Sequence, residues 1–200
     1  MEFRQHYSSS AGNLYELVMN HARVLIDPGV TLSRIRRDGI SLSGCGVWRS
    51  HDHADHAKGY RDLFERMALP EAQPWREYEM QHDVPCEASL WIEPDTGETL
   101  MFAIDTGSFD GLPTGSATIY ALECNYQDEY MTQDHTTLRV RQNHASLYQV
   151  IAYLERCDLS ETREIHLLHI SGRHANAFDC ARAVRQRFGI PTYTTKDTKK

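Results

Sequence analysis

Apolar residues recur along this chain in short bursts, most of them closed by Asp, Gly, Pro or Ser. Phe3 to Tyr7 predicts a first strand, ended by the turn-rich Ser8-Ser9-Ser10-Ala11-Gly12-Asn13. Leu14 to Met19 and Ala22 to Ile26 predict two strands joined by Asn20-His21, a connection tight enough for a hairpin. Asp27-Pro28-Gly29 stops the second. Thr31 to Arg37 predicts a short helix, capped by Thr31 or Ser33 and ended by Asp38-Gly39. Gly44 to Trp48 reads as a strand. Behind it, Tyr60, Leu63, Phe64 and Met67 recur at i, i+3, i+4, i+7, which predicts a helix from about Ala57 to Met67.

Leu69 to Pro74 is a proline-bounded loop, and Glu77 to Gln81 predicts a strand that delivers His82. Ser89 to Glu93 and Thr99 to Ile104 form the next pair across Pro94-Asp95-Thr96-Gly97, a strong turn signal. Thr118 to Glu123 reads as a strand and Gln127 to Arg141 as helical in pieces. Ser146 to Cys157 is the clearest amphipathic helix, with Leu147, Val150, Ile151 and Leu154 on one face. Glu164 to Ile170 predicts a buried strand and Asn176 to Phe188 a helix stopped by Gly189. Two packed sheets with helices outside would satisfy this order.

With 200 residues, 40% of them hydrophobic, the chain is the right size for one domain, taken as 1–194 with a polar tail at 195–200. No apolar span approaches membrane length and the first residues hold no signal-peptide core, so the expectation is a soluble cytoplasmic protein without a membrane partner. Five cysteines, an odd number without C-x-x-C spacing, argue against a disulfide framework. The net charge of −7 argues against a broad nucleic-acid-binding face. It fits a small anionic substrate at least as well.

The chemistry concentrates in Ser50-His51-Asp52-His53-Ala54-Asp55-His56, with H-x-H-x-D-H spacing directly after a strand. Imidazoles and a carboxylate crowded into one turn suit a divalent cation such as Zn²⁺ or Mn²⁺. Asp27, His82, Asp105 and His169 stand where other apolar strands end, positions from which a rigid scaffold can aim ligands into a shared cleft.

On these residues the sequence resembles the metallo-β-lactamase superfamily. Val24-Leu25-Ile26-Asp27-Pro28-Gly29 is similar to its first motif and His51–His56 to its second. His82-Asp83-Val84, Ile104-Asp105-Thr106-Gly107 and Leu168-His169-Ile170-Ser171 are similar to the third, fourth and fifth. The resemblance implies an α/β fold, a four-layer αβ/βα sandwich of two mixed sheets with helices outside. It also implies two metal ions, Zn or Mn: one on His51, His53 and His82, the other on Asp55, His56 and His169, with Asp105 bridging and Asp27 orienting a ligand. Ser8–Asn13, Leu122-Glu123-Cys124-Asn125 and Asn143-His144-Ala145-Ser146 resemble segments of the WalJ/YycJ-type exonucleases. By similarity to tRNase Z enzymes, Glu123 and His144 would form a proton-transfer pair, acting with Asp55 as the catalytic set.

The implied activity is phosphodiester hydrolysis by a hydroxide shared between two metals, on nucleic acid or, alternatively, on a cyclic nucleotide as in the phage anti-defence enzymes of this fold. A homodimer is left open. Asn143 replaces a usual Gly, the Gly-Tyr expected after the third motif is missing from Glu87-Ala88-Ser89-Leu90, and no insertion can serve as a tRNA-gripping arm. β-Lactamases, exported and usually without an Asp at the fourth motif, fit less well. So do glyoxalase-type thioesterases, whose Gly-His-Thr stands against Gln81-His82-Asp83. A non-catalytic metal-binding module would be inactive on any phosphodiester. Arg173 and His174 are further candidates for touching a substrate phosphate.

Overall fold

The computed structural model describes residues 1–132 and 135–195, the side chain of Thr136 excepted. Among them the first sheet holds β1 (Glu2–Tyr7), β2 (Leu14–Val18), β3 (Arg23–Ile26) and β4 (Cys45–Trp48), in that spatial order. The hairpin pairs β2 with β3 antiparallel, Tyr15 opposite Ile26, whereas β3 and β4 run parallel. The second sheet holds β5 (Arg76–Met80), β6 (Cys86–Ile92), β7 (Thr99–Ala103), β8 (Ile119–Glu123), β9 (Glu164–Leu168) and β10 (Thr192–Tyr193), each beside its neighbour in sequence. Pairing is antiparallel from β5 to β7 and parallel from β7 to β10. Both sheets are therefore mixed.

Three buried clusters make the layers. Between the sheets, Phe3, Tyr15, Ile26 and Trp48 meet Trp91, Phe102, Ile104 and Leu168. Outside the first sheet, Leu14, Leu25 and Val47 are covered by Val30, Tyr60, Leu63 and by Ile35 of α1 (Leu32–Arg37). α2 (Ala54–Ala57) continues on this side of the chain, and α3 (His135–Asn143) follows β8. Outside the second sheet, Met101, Tyr120 and Leu167 are covered by Val150, Tyr153 and Leu154 of α4 (Leu147–Leu154) and by Cys180, Ala181 and Val184 of α5 (Ala177–Phe188). The result is a four-layer α/β sandwich. Strands buried on both faces read as continuous apolar runs, as in Ile119–Glu123.

Local chemistry sets the boundaries. Thr31 caps α1, accepting from the Arg34 amide. Ser146 and Gln149 form a capping box at α4, and Gly189 closes α5 at φ 71°. The helix expected over 57–67 differs: α2 begins earlier, inside the histidine motif with His53 as N-cap, and a separate π-helical turn spans Asp62–Arg66. Gly59 lies between them, where a Cβ would sit 2.2 Å from the Val30 carbonyl oxygen, and the helix yields to that close approach. Phe64, expected on the buried face, is exposed. β6 begins at Cys86, ahead of the expected Ser89, and β10 has no counterpart in the sequence reading. The five cysteines are free. Of the expected tail only Thr195 is described; residues 196–200 lie outside the described residues. No helix among the described residues is long and apolar enough to cross a membrane.

Candidate active site

Four non-glycine residues among those described have positive φ, and three of them are Asp27 (48°), Asp105 (47°) and His169 (52°). Each follows directly, or one residue after, the end of a strand: β3, β7 and β9. Left-handed backbone is uncommon outside glycine, though Asp and His adopt it more readily than most residues, and it concentrates where side-chain placement matters. Here it turns the chain at the strand ends so that side chains of both sheets converge. Gly29 permits the convergence. A Cβ there would lie 1.6 Å from the Asp55 carbonyl oxygen, so only glycine lets the loop after β3 pack against the histidine motif.

The seven expected ligands come together in two groups. His51, His53, His82 and Asp105 have one donor atom each within 4.8 Å of the others, and so do Asp55, His56, Asp105 and His169. Asp105 belongs to both: its Oδ2 is 3.5 Å from His51 Nε2 and 3.2 Å from His56 Nε2. In the first group His82 Nε2 is 3.3 Å from His53 Nδ1, while His82 Nδ1 faces the Asn143 carbonyl oxygen at 3.3 Å. In the second, Asp55 Oδ2 is 3.5 Å from His56 Nε2 and 3.7 Å from His169 Nε2.

Around the histidines stands a shell of hydrogen bonds. Asp27, fully buried, accepts from the Ser50 amide (2.6 Å), the Ser50 hydroxyl (2.9 Å) and His56 Nδ1 (2.9 Å). Asn13 donates through Nδ2 to His56 Nε2 (2.9 Å) and to the Asp55 carbonyl oxygen (3.1 Å). Asn125 donates to the His169 carbonyl oxygen (2.9 Å), and the Ser8 hydroxyl accepts from the His169 amide (2.6 Å). Despite this shell, His51 Nε2, His169 Nε2 and Asp105 Oδ1 are buried without a hydrogen-bond partner. Buried polar atoms are nearly always paired. Orphaned imidazole and carboxylate atoms within two tight His/Asp groups are a donor set that fits divalent cations.

Glu123 and His144 sit beside the second group. Glu123 Oε1 is 2.7 Å from His144 Nδ1 and 3.1 Å from His169 Nδ1, and Oε2 accepts from the Thr106 and Ala145 amides. Glu123 is fully buried, whereas the His144 side chain is 20% exposed and so reachable from the cleft. That cleft, about 300 Å³, is lined by His53, Asp55, His82, Asp105, His144 and His169 together with Ser10, Asp83, Arg139, Val140 and Asn143. Arg173 is exposed and His174 buried, and neither lines it.

Electrostatics follow from burial with like and unlike neighbours. Burial pushes the Asp55 carboxyl up, but the imidazoles of His169 and His56 beside it outweigh burial and hold the group far below the usual range. Asp105 is held low in the same way against burial, chiefly by the charge of His169, and Glu123 by His144. Burial opposes protonation of His56, yet Asp27 and Asp105 raise it well above the ordinary imidazole value; His169 is raised mainly by Asp105. His82 goes the other way because burial dominates. His144 is raised: burial opposes, and Glu123 wins. Ionised carboxylates with protons shared among histidines describe a centre where a divalent cation, if bound, would compete with protons for the same atoms.

Sequence reasoning did not single out Asn13, Ser50, Asn125, Asp83 or Arg139 individually. Asn13 and Asn125 fall inside segments already noted, Ser8–Asn13 and Glu123-Cys124-Asn125, but a lone Asn or Arg carries no spacing signal of its own.

By sequence, no protein-family model matches the chain and no curated protein matches it. Solved structures do. YhfI of Bacillus subtilis, described as a metallo-β-lactamase fold protein, superposes with a TM-score of 0.70 at 14% identity, over 96% of this chain and 95% of that one. This chain has the metallo-β-lactamase fold. Unliganded yeast PDE1 matches the same fold with a TM-score of 0.66 at 9% identity, over 96% of each chain. Human tRNase Z, short form, matches with a TM-score of 0.62 at 12% identity, over 86% of this chain and 94% of that one. In this metallo-β-lactamase fold the two His/Asp groups lie at one edge of the sandwich, just beyond the ends of β4, β5, β7 and β9.

Proposed function

We propose that the protein is a metal-dependent phosphodiesterase acting on nucleic acid, with an exonuclease-like preference for ends or single strands. The observation that carries the reading is the Glu123–His144 pair standing beside two His/Asp groups that share Asp105. His51, His53, His82 and Asp105 would hold one divalent cation, zinc or manganese, and Asp55, His56, Asp105 and His169 a second. When bound, such a pair supplies Lewis acidity towards a phosphoryl oxygen and acidifies water.

The chain's own residues do the rest. Asp27 fixes the His56 ring through Nδ1, and Asn125 with Ser8 fixes the backbone of His169. Glu123 keeps His144 protonated and directs Nδ1 inward, leaving Nε2 to give its proton to the departing oxygen, a contribution typically worth about 10²–10⁴-fold. A structural centre would not need this acid beside it. Likeness to human tRNase Z supports a nucleic-acid substrate at the level of fold.

The small cleft favours a second reading, hydrolysis of a cyclic mononucleotide, since about 300 Å³ is at the low end for a ligand pocket. Incubation with Mn²⁺ or Zn²⁺ and either 5′-labelled single-stranded DNA or cyclic mononucleotides separates the two. Shortening of the labelled strand is expected. Turnover of the cyclic substrate alone selects the second reading, and failure on both, with bis-p-nitrophenyl phosphate also untouched, refutes the phosphodiesterase.

A further inference from the structure

Arg139 of α3 reaches across the opening and donates through Nη2 to Asp83 Oδ2 at 3.0 Å. The other Asp83 oxygen, Oδ1, lies 3.1 Å from His82 Nε2 and 3.6 Å from His53 Nε2. A carboxylate thus stands against two imidazoles of the first group, with an arginine on its outer side. Among the described residues that line this cleft, Arg139 is the one arginine or lysine, in a chain of net charge −7.

We propose that Asp83 and Arg139 form a clasp in which Asp83 holds the place of a substrate phosphate, and that Arg139 transfers from Asp83 to that phosphate when substrate binds. This rests on the phosphodiesterase reading and names the residues that recognise its anionic group. A carboxylate and the non-bridging oxygens of a phosphate present the same pair of acceptors to a guanidinium fork. The Arg139 side chain is 76% exposed, and exposed ion pairs hold together weakly, so the clasp opens at small cost. Asp83 in place repels an incoming anion, and Asp83 without Arg139 repels it more. The two residues therefore act on phosphate affinity with opposite signs.

Three variants test this: Arg139→Gln, Arg139→Lys and Asp83→Asn, each Mn²⁺-loaded. The probes are inorganic phosphate, followed by calorimetry, and bis-p-nitrophenyl phosphate, followed by turnover. Arg139→Gln is expected to weaken phosphate binding and raise KM by about two- to fivefold, with kcat little changed, as for loss of an ion pair made by an exposed side chain. Arg139→Lys restores part of the loss. Asp83→Asn tightens phosphate binding and lowers KM, and all three keep wild-type metal content. Metal loss in Asp83→Asn would show a cation ligand instead, and shifts of one sign in both residues, or none, would show a structural ion pair. Either result overturns the clasp. Wild-type protein that binds inorganic phosphate but turns over no phosphodiester would sink the phosphodiesterase reading while the binding arm still decides the clasp.

Discussion

Asp27 offers the sharpest test of how the centre is held. Its Oδ1 accepts the Ser50 amide, and its Oδ2 accepts both the Ser50 hydroxyl and His56 Nδ1. In Asp27→Asn the backbone, at φ 48°, is tolerated as before, since Asn and Asp visit this region alike. The amide oxygen keeps the Ser50 N–H and the amide nitrogen can turn to the Ser50 oxygen. It cannot accept from His56. Two donors then face each other until His56 moves its proton to Nε2, the atom 3.2 Å from Asp105 Oδ2 that the second cation would need. Loss of such an orienting partner typically costs about 10–100-fold in metal affinity, or about 1.4–2.7 kcal/mol. Asp27→Ala removes more. It leaves the buried Ser50 amide and His56 Nδ1 unpaired at about 1–3 kcal/mol each and adds about 1–2 kcal/mol for an alanine at positive φ. Against a total stability of about 5–15 kcal/mol that is enough to impair folding. Equilibration against a zinc-buffering chelator, with metal content and circular dichroism read on the same samples, separates the effects. A folded Asp27→Asn protein with weakened uptake of one cation is expected. Wild-type affinity in that variant, or unfolding as severe as in Asp27→Ala, would show that Asp27 does not orient His56 for metal.

Other consequences follow from burial. Phe102 is fully buried between the sheets against Phe3, Tyr15 and Trp48, so Phe102→Ala should lose about 3–5 kcal/mol in urea unfolding. Glu16 on β2 gives a pH signature: burial raises its pKa, but hydrogen bonds to His6 and Arg23 outweigh it and set it at about 2. With the folded value below the unfolded one, this group stabilises the protein fully above about pH 4.5 and progressively less as pH falls towards 2. Urea unfolding of wild type and Glu16→Gln should therefore differ at pH 6 and converge near pH 2.

Much of the site was legible because metal chemistry needs unusual residue types at strand ends. H-x-H-x-D-H stands out of any background, and Asp27, Asp105 and His169 each interrupt an apolar run at the place where the backbone turns to positive φ. The double covering of the second sheet was legible too, from unbroken apolar strands and the amphipathic 146–157 segment. What escaped has tertiary causes. The helix expected from Ala57 starts instead at Ala54, where Gly29 packs against the Asp55 carbonyl, and breaks at Gly59 against the Val30 carbonyl, close approaches that periodicity does not reveal. β10, two residues long, exists only because β9 offers it an edge. Asn13 and Arg139 contact residues 43 and 56 positions away, and no local pattern announces such contacts.

In the proposed enzyme labour is divided: Asp105 joins the two groups, and His144 serves chemistry alone. Metal content and turnover of bis-p-nitrophenyl phosphate, measured together on Asp105→Ala and His144→Ala, test it most directly. Asp105→Ala is expected to lose metal and activity together, while His144→Ala keeps its full metal content and loses about 10²–10⁴-fold in kcat. Equal metal loss in both variants, or wild-type turnover in His144→Ala, would contradict it.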